Sequence, residues 1–209
     1  MGPKVSVITP SIRPEYLHIT QECLENQTNQ DFEWLVEIGL RNRGFTLPTD
    51  WNKLIRRAQG DIIFIIQDCI SFPTDAVEQI AKLDYDHKAY TFPVSKDSVW
   101  DWRKSEPRKL TGNEWEIDMG AAPRSLFYDV GGFDETFCEG WSWENVEIGW
   151  RAVAAGYSFY SSHATEGIGI DHDALRPHPF RESLPKNAPK ANETMRKAER
   201  GDYKKPYLF

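Results

Sequence analysis

Hydrophobic residues in the first half of the chain alternate between short unbroken runs and stripes at helical spacing. Residues 4–9 (KVSVIT) are an apolar, β-branched run that stops at Pro10 and predicts a buried strand. Residues 14–26 put Leu17, Thr20 and Leu24 on one face behind Pro14, the pattern of a helix opened by proline. Residues 32–38 (FEWLVEI) predict a second strand, closed by Gly39. Asp50 is placed to cap a helix over 51–59, and Gly60 stops it. Residues 61–66 (DIIFII) are the most apolar run, as expected of a central parallel strand covered on both faces. A helix over 75–83 shows Val77, Ile80 and Ala81 on one side.

This order, β-α-β-α-β-α, predicts a doubly wound α/β sheet. Ligands of such sheets bind at the carboxyl ends of the strands, which points to residues 9–13, 37–43 and 67–71. The second half is less regular. Strands are expected over 90–94, 115–118 and 157–161. Helices are expected over 123–130, ended by Gly131 and Gly132, and over 142–155, with Ser142 as N-cap. Beyond Arg176, Pro177, Pro179, Pro185 and Pro189 break regular structure and leave a polar surface helix near 192–200.

The length of 209 residues fits one domain or two small ones, large enough to hold a core without staples. Apolar residues make up 40% and aromatic residues 13%, which excludes disorder for most of the chain. No apolar run approaches the length of a membrane span, and no basic-then-apolar leader opens the sequence, so a cytoplasmic protein is expected. Cys23, Cys69 and Cys138 make neither a disulfide framework nor a Cys-x-x-Cys zinc pair, and fit a reducing compartment. The net charge of −7 counts against a general nucleic-acid binder. That charge is uneven: residues 176–209 hold nine Lys/Arg against four acids, a basic tail of +5 on a body of −12.

Three clusters carry candidate chemistry. Gln67-Asp68-Cys69 follows the central strand, where an acid can hold a divalent cation or a ribose hydroxyl; alternatively it is a loop acid capping the next helix. Glu144 stands in the first turn of a helix, in the run Trp141-Ser142-Trp143-Glu144. A carboxylate among apolar rings has a raised pKa and can act as a base, although acids also favour helix N-termini for dipole reasons. Six of the eight tryptophans fall between residues 100 and 150, which favours a sugar or another flat ligand. His172 is flanked by Asp171 and Asp173, a set suited to an oxygen-loving cation with one imidazole ligand; a lone histidine is otherwise structural. Trp102, within Trp100-Asp101-Trp102-Arg103-Lys104, interleaves rings with cations, as in a mobile lid or a single-strand contact. Hydrolase-elbow, P-loop, dinucleotide and zincin motifs are absent from the sequence.

Taken in order, these segments resemble the family 2 glycosyltransferases of GT-A fold. The resemblance rests on Val5-Ser6-Val7-Ile8-Thr9-Pro10-Ser11, on Tyr16-Leu17 through Asn26-Gln27-Thr28 to Asp31-Phe32-Glu33, and on Asn52-Lys53 to Ala58-Gln59-Gly60-Asp61. It continues in Gly131-Gly132-Phe133-Asp134-Glu135, the Trp143-Glu144-Asn145 block and Arg151, and covers residues 4–175. The acceptor-side motif is similar to that of galactosyl- and polypeptide GalNAc-transferases.

The resemblance implies a GT-A domain over 1–175: a Rossmann-like, doubly wound mixed sheet with a nucleotide-sugar half (1–95), an acceptor half (96–175) and a basic tail (176–209). It implies a metal-assisted transfer of a hexosyl group from a UDP-sugar. Thr9, Ser11, Glu37, Asn52, Gln67 and Asp68 would line the nucleotide-sugar site. Asp68 and His172 would hold Mn²⁺ or Mg²⁺, Glu144 and Asn145 would serve catalysis, and Trp141, Trp143 and Trp102 would shape the acceptor or sugar site. The acceptor would be a glycan, a protein side chain or a modified nucleobase; small stand-alone enzymes of this type also occur in phage genomes. Two positions depart from the family pattern. Its Asp-x-Asp slot reads Gln67-Asp68-Cys69, and Asn145 stands where many inverting relatives have the general-base aspartate. The rival expectations are a nucleic-acid-directed transferase and a binding module without turnover.

Overall fold

β-Branched and aliphatic residues decide the centre of the molecule. In the computed structural model, which describes residue 2 and residues 4–39, 46–95, 104–139, 143–169 and 184–202 (side chains of 184–186 excepted), the first half folds as three parallel strands. These are β1 (Val5–Ser11), β2 (Phe32–Ile38) and β3 (Ile62–Ile66), with β1 in the middle. Ile62, Phe64 and Ile66 of β3 enter one apolar cluster, and Ile63 and Ile65 enter another on the opposite face. Both faces are covered, so period-2 alternation of polar residues is absent from this strand.

Two helices complete this half. α1 (Leu17–Glu25) follows a short 3-10 turn at Pro14–Tyr16 and buries Thr20 and Leu24. α2 (Leu47–Arg57) starts earlier than the sequence suggests. Pro48 occupies its first turn, and Asp50 lies inside the helix as a buried acceptor for the Thr46 hydroxyl at 2.7 Å, not as its cap.

Beyond β3 come β4 (Ile70–Ser71), α3 (Ala76–Ala81), β5 (Lys88–Thr91) and β6 (Val94–Ser95). The single strand expected over 90–94 is split because Pro93 cannot donate to a ladder. β7 (Lys109–Leu110) precedes β8 (Met119–Pro123), which corrects the expected strand over 115–118. β8 reads Met-Gly-Ala-Ala-Pro, and its small residues fit between β3 and β5 while hiding the usual strand signature. α4 (Arg124–Val130) ends as expected at Gly131, whose φ of 78° is left-handed. α5 (Glu144–Ala154), β9 (Ser158–Ser161), β10 (Gly167–Gly169) and α6 (Leu184–Glu199) follow.

Among the described residues the strands make a seven-stranded mixed sheet, in the order β2-β1-β3-β8-β5-β9-β7, and a small sheet, β4-β10-β6. α6 corrects the reading of the proline-rich end: Pro185 and Pro189 fall inside the helix. It is also more than a polar surface element. Asn187 and Ala191 are buried, the Asn187 amide donates to Phe137 O at 3.2 Å, and the Thr194 hydroxyl donates to Glu147 of α5.

Candidate active site

The carboxyl ends of β1, β2, β3, β5 and β9 open on one edge, because these strands run parallel to one another. β8 runs the other way, so its entry segment reaches the same edge: the Gln67 N–H donates to Asp118 O at 3.0 Å. The Thr91 hydroxyl donates to Glu116 O at 2.6 Å, and Asn145 at the start of α5 reaches the same segment. The fold therefore gathers Ser11, Asp68, Glu116, Glu144 and Asn145 from residues scattered along the sequence.

Asp68 is 2% exposed and fully engaged. The Ser11 hydroxyl donates to Oδ2 at 2.6 Å, and Arg13 Nη2 donates to Oδ1 at 2.7 Å. The Arg13 backbone N–H donates to Ser11 Oγ at 2.9 Å, closing a three-residue network. Ser11 and Asp68, both expected at the nucleotide, are thus brought together. Arg13 had no individual signal beyond its place after the first strand, since its partner is 55 residues away.

The described donors do not fit a divalent cation. Mn²⁺ or Mg²⁺ asks for several oxygen ligands. Here Asp68 carries the sole acid of its loop and is neutralised by a guanidinium. Cys69 is buried in the apolar cluster with Ile66, Phe72 and Met119, so its thiol is part of the core. Gln67 Oε1 receives only a 3.9 Å contact from that thiol. No group of three or more His, Cys, Asp or Glu suited to a metal occurs among the described residues. His172 lies outside them, as do Trp141 and Trp102. β10 ends with Gly169 paired to Ile70, two residues after Asp68.

Glu144 is the second focus. The residue is 8% exposed, and Oε2 is buried with no hydrogen-bond partner. Burial pushes its pKa up to about 7, with the nearby Glu116 carboxylate adding to the rise and its own backbone N–H opposing it. Trp143, just before it, holds a left-handed φ of 78°, a strained conformation for a bulky side chain. Asn145 faces away from proton chemistry. Its amide donates to Trp115 O at 3.1 Å and to Glu116 Oε2 at 3.3 Å, so it fixes Glu116 beside Glu144.

The other expected site residues have structural partners. The Thr9 hydroxyl accepts the Trp34 indole N–H at 3.0 Å. Glu37 pairs with Lys53 at 2.8 Å and Arg57 at 3.4 Å. Asn52 is fully buried: its amide N–H₂ donates to Phe133 O and Glu135, and its carbonyl accepts the Phe133 N–H at 2.8 Å. It clamps α2 to the loop after α4. That loop is also held by Arg151, whose guanidinium donates to Val130 O, Gly132 O and the Glu147 carboxylate at 2.5–2.7 Å. The Gly-Gly-Phe-Asp-Glu and Arg151 motifs are therefore one scaffold joining α2, α5 and the loop after α4.

No protein-family model matches the chain, and no curated protein matches it in sequence. Solved structures do match in fold. The crystal structure of GalNAc-T7 with UDP, GalNAc and Mn²⁺ superposes with a TM-score of 0.68 at 14% identity over 91% of this chain. S. aureus TarS 1-349 in complex with UDP-GlcNAc gives 0.63 at 16% identity over 95%. A further S. aureus TarS structure gives 0.57 at 13% identity over 81%. The chain spans 48% of the GalNAc-T7 chain, 66% of TarS 1-349 and 35% of the further TarS structure. The fold is GT-A, in agreement with the sequence expectation.

Proposed function

We propose that the chain is a glycosyltransferase of the family 2 type that moves a hexosyl group from a UDP-sugar to an acceptor hydroxyl. One observation carries this reading: a buried glutamate with an unpartnered oxygen and a pKa near 7 opens α5 at the carboxyl edge of a GT-A sheet. A group of that pKa takes up a proton efficiently at neutral pH. The fold likeness to proteins crystallised with UDP or UDP-GlcNAc supports the donor class.

In this reading the donor lies along the ends of β1 and β3, over Ser11 and Asp68. The acceptor hydroxyl approaches Glu144 Oε2, and its proton passes there as the acceptor oxygen attacks. Burial holds the base near neutrality, and the Glu116 carboxylate, kept beside Glu144 by Asn145, adds to the rise. Trp143 offers an aromatic face to a sugar ring. A divalent cation would supply Lewis-acid charge at the diphosphate; since the described donors do not fit one, no step is drawn through it.

Glu144→Gln tests the reading. Transfer, followed as UDP release with acceptor present, should fall at least roughly 10²-fold, the usual contribution of a general base. Wild-type kcat should rise with pH through about 7 as Glu144 loses its proton. Equal turnover in the variant removes Glu144 from the mechanism, and absence of turnover with intact UDP binding would make the chain a nucleotide-sugar-binding module.

A further inference from the structure

Arg13 sits where the charge problem of the proposed reaction has to be solved. It follows the end of β1 and leads into the 3-10 turn at Pro14–Tyr16. Its guanidinium reaches across to the loop after β3 and meets Asp68 Oδ1 at 2.7 Å, while Ser11 holds Oδ2. The Tyr16 ring lies 5.7 Å from its central carbon. The side chain is 16% exposed, and Nε is buried without a hydrogen-bond partner. Among the described residues Nη2 alone of its side-chain nitrogens is bonded, so most of its five N–H donors are unspent.

We propose that Arg13 supplies, in place of a divalent cation, the positive charge that binds the donor's diphosphate. The proposal rests on the nucleotide-sugar reading and deepens it. Asp68 and Ser11 are then positioning residues: they hold the guanidinium at the edge of the sheet. A cation seated on Asp68 would have to displace this guanidinium or lie against it, with like charge repelling like. Conversely, an arginine fork offers paired donors matched to phosphate oxygens and stays charged at every working pH. When the bond between the sugar C1 and the β-phosphate oxygen breaks, its electron pair goes to that oxygen. The product UDP carries the added negative charge, which Arg13 balances, and the acceptor proton leaves to Glu144.

The test is calorimetric titration of UDP and of uridine into the full chain in EDTA and, separately, with Mn²⁺. Wild type is expected to prefer UDP over uridine by about ten- to a hundredfold in EDTA, the worth of a charged hydrogen-bonded contact. Arg13→Gln should erase most of that preference and leave uridine binding within about twofold, which also reports that the variant is folded. Arg13→Lys keeps an ion pair with Asp68 and covers the case of a misfolded glutamine variant. It should bind uridine normally and lose part of the preference, because an ammonium lacks the fork. A wild-type preference for UDP that appears only with Mn²⁺ overturns the proposal and leaves the nucleotide-sugar reading standing. A UDP preference in EDTA that survives in both variants also overturns it. Binding of neither ligand overturns both.

Discussion

A buried carboxyl with a raised pKa stabilises the folded state only while it keeps its proton. Glu144 has its pKa lifted from 4.5 to about 7 by burial. Between those values the folded chain holds a proton that the unfolded chain has lost, so this group's contribution falls as pH rises. Glu144→Gln removes that loss. The variant should be more stable than wild type at pH 8, on the order of 1–3 kcal/mol, while being far less active. Urea unfolding at pH 5 and pH 8 measures it; equal stability differences at both pH values would contradict the titration. Burial raises the Glu147 carboxyl as well, but there the Arg151 guanidinium opposes the rise. Their buried pair is closed, with Arg151 also holding two backbone carbonyls. Glu147→Gln leaves a buried charge unpaired and should cost about 3–5 kcal/mol in urea unfolding, whereas a cost below about 1 kcal/mol would contradict a buried-pair role. The sequence shows Glu144 as an acid among tryptophans. It does not show the ties of Asn52 to Phe133, Asn145 to Glu116, or Arg13 to Asp68, because each joins residues 29 to 81 apart.

Strongly patterned elements are the legible ones. β2 falls on residues 32–38 as expected, and β1 and β3 shift by one or two residues, because long apolar runs admit few alternatives. β8 is hidden by its alanines and glycine, and α6 by prolines that sit where a helix tolerates them or where packing on α5 outweighs the lost bond. One close approach of elements is a direct test of this packing. A Cβ at Gly149 of α5 would lie 2.2 Å from Gly112 O of a 3-10 turn, Gly112–Glu114, that precedes β8. Gly149→Ala must push α5 away, so it should lower stability by about 1–3 kcal/mol despite alanine's better helix propensity. Thermal melting measures it, and an unchanged or higher melting temperature would show that α5 does not rest on that turn. Because α5 also carries Glu144, the same variant should lower transfer more than UDP binding.

At the scale of the molecule, the sheet sets what chemistry is reachable. Its carboxyl edge joins the half built from β1 to β3 to the half built around α5. The order of elements was enough to place the first half of that edge. The second half was not, because the strands that complete the sheet are short and come from distant segments. The GT-A fold leaves the acceptor open, while the nucleotide claim can be tested without one. A thermal-shift titration with UDP does so most directly. A ligand at about 100 times its Kd adds about 2.7 kcal/mol to the folded state, a visible rise in melting temperature. A saturable rise with UDP is the expected result. A flat melting temperature with the diphosphates of uridine, guanosine, cytidine and thymidine, with and without Mn²⁺, would contradict the nucleotide-sugar reading.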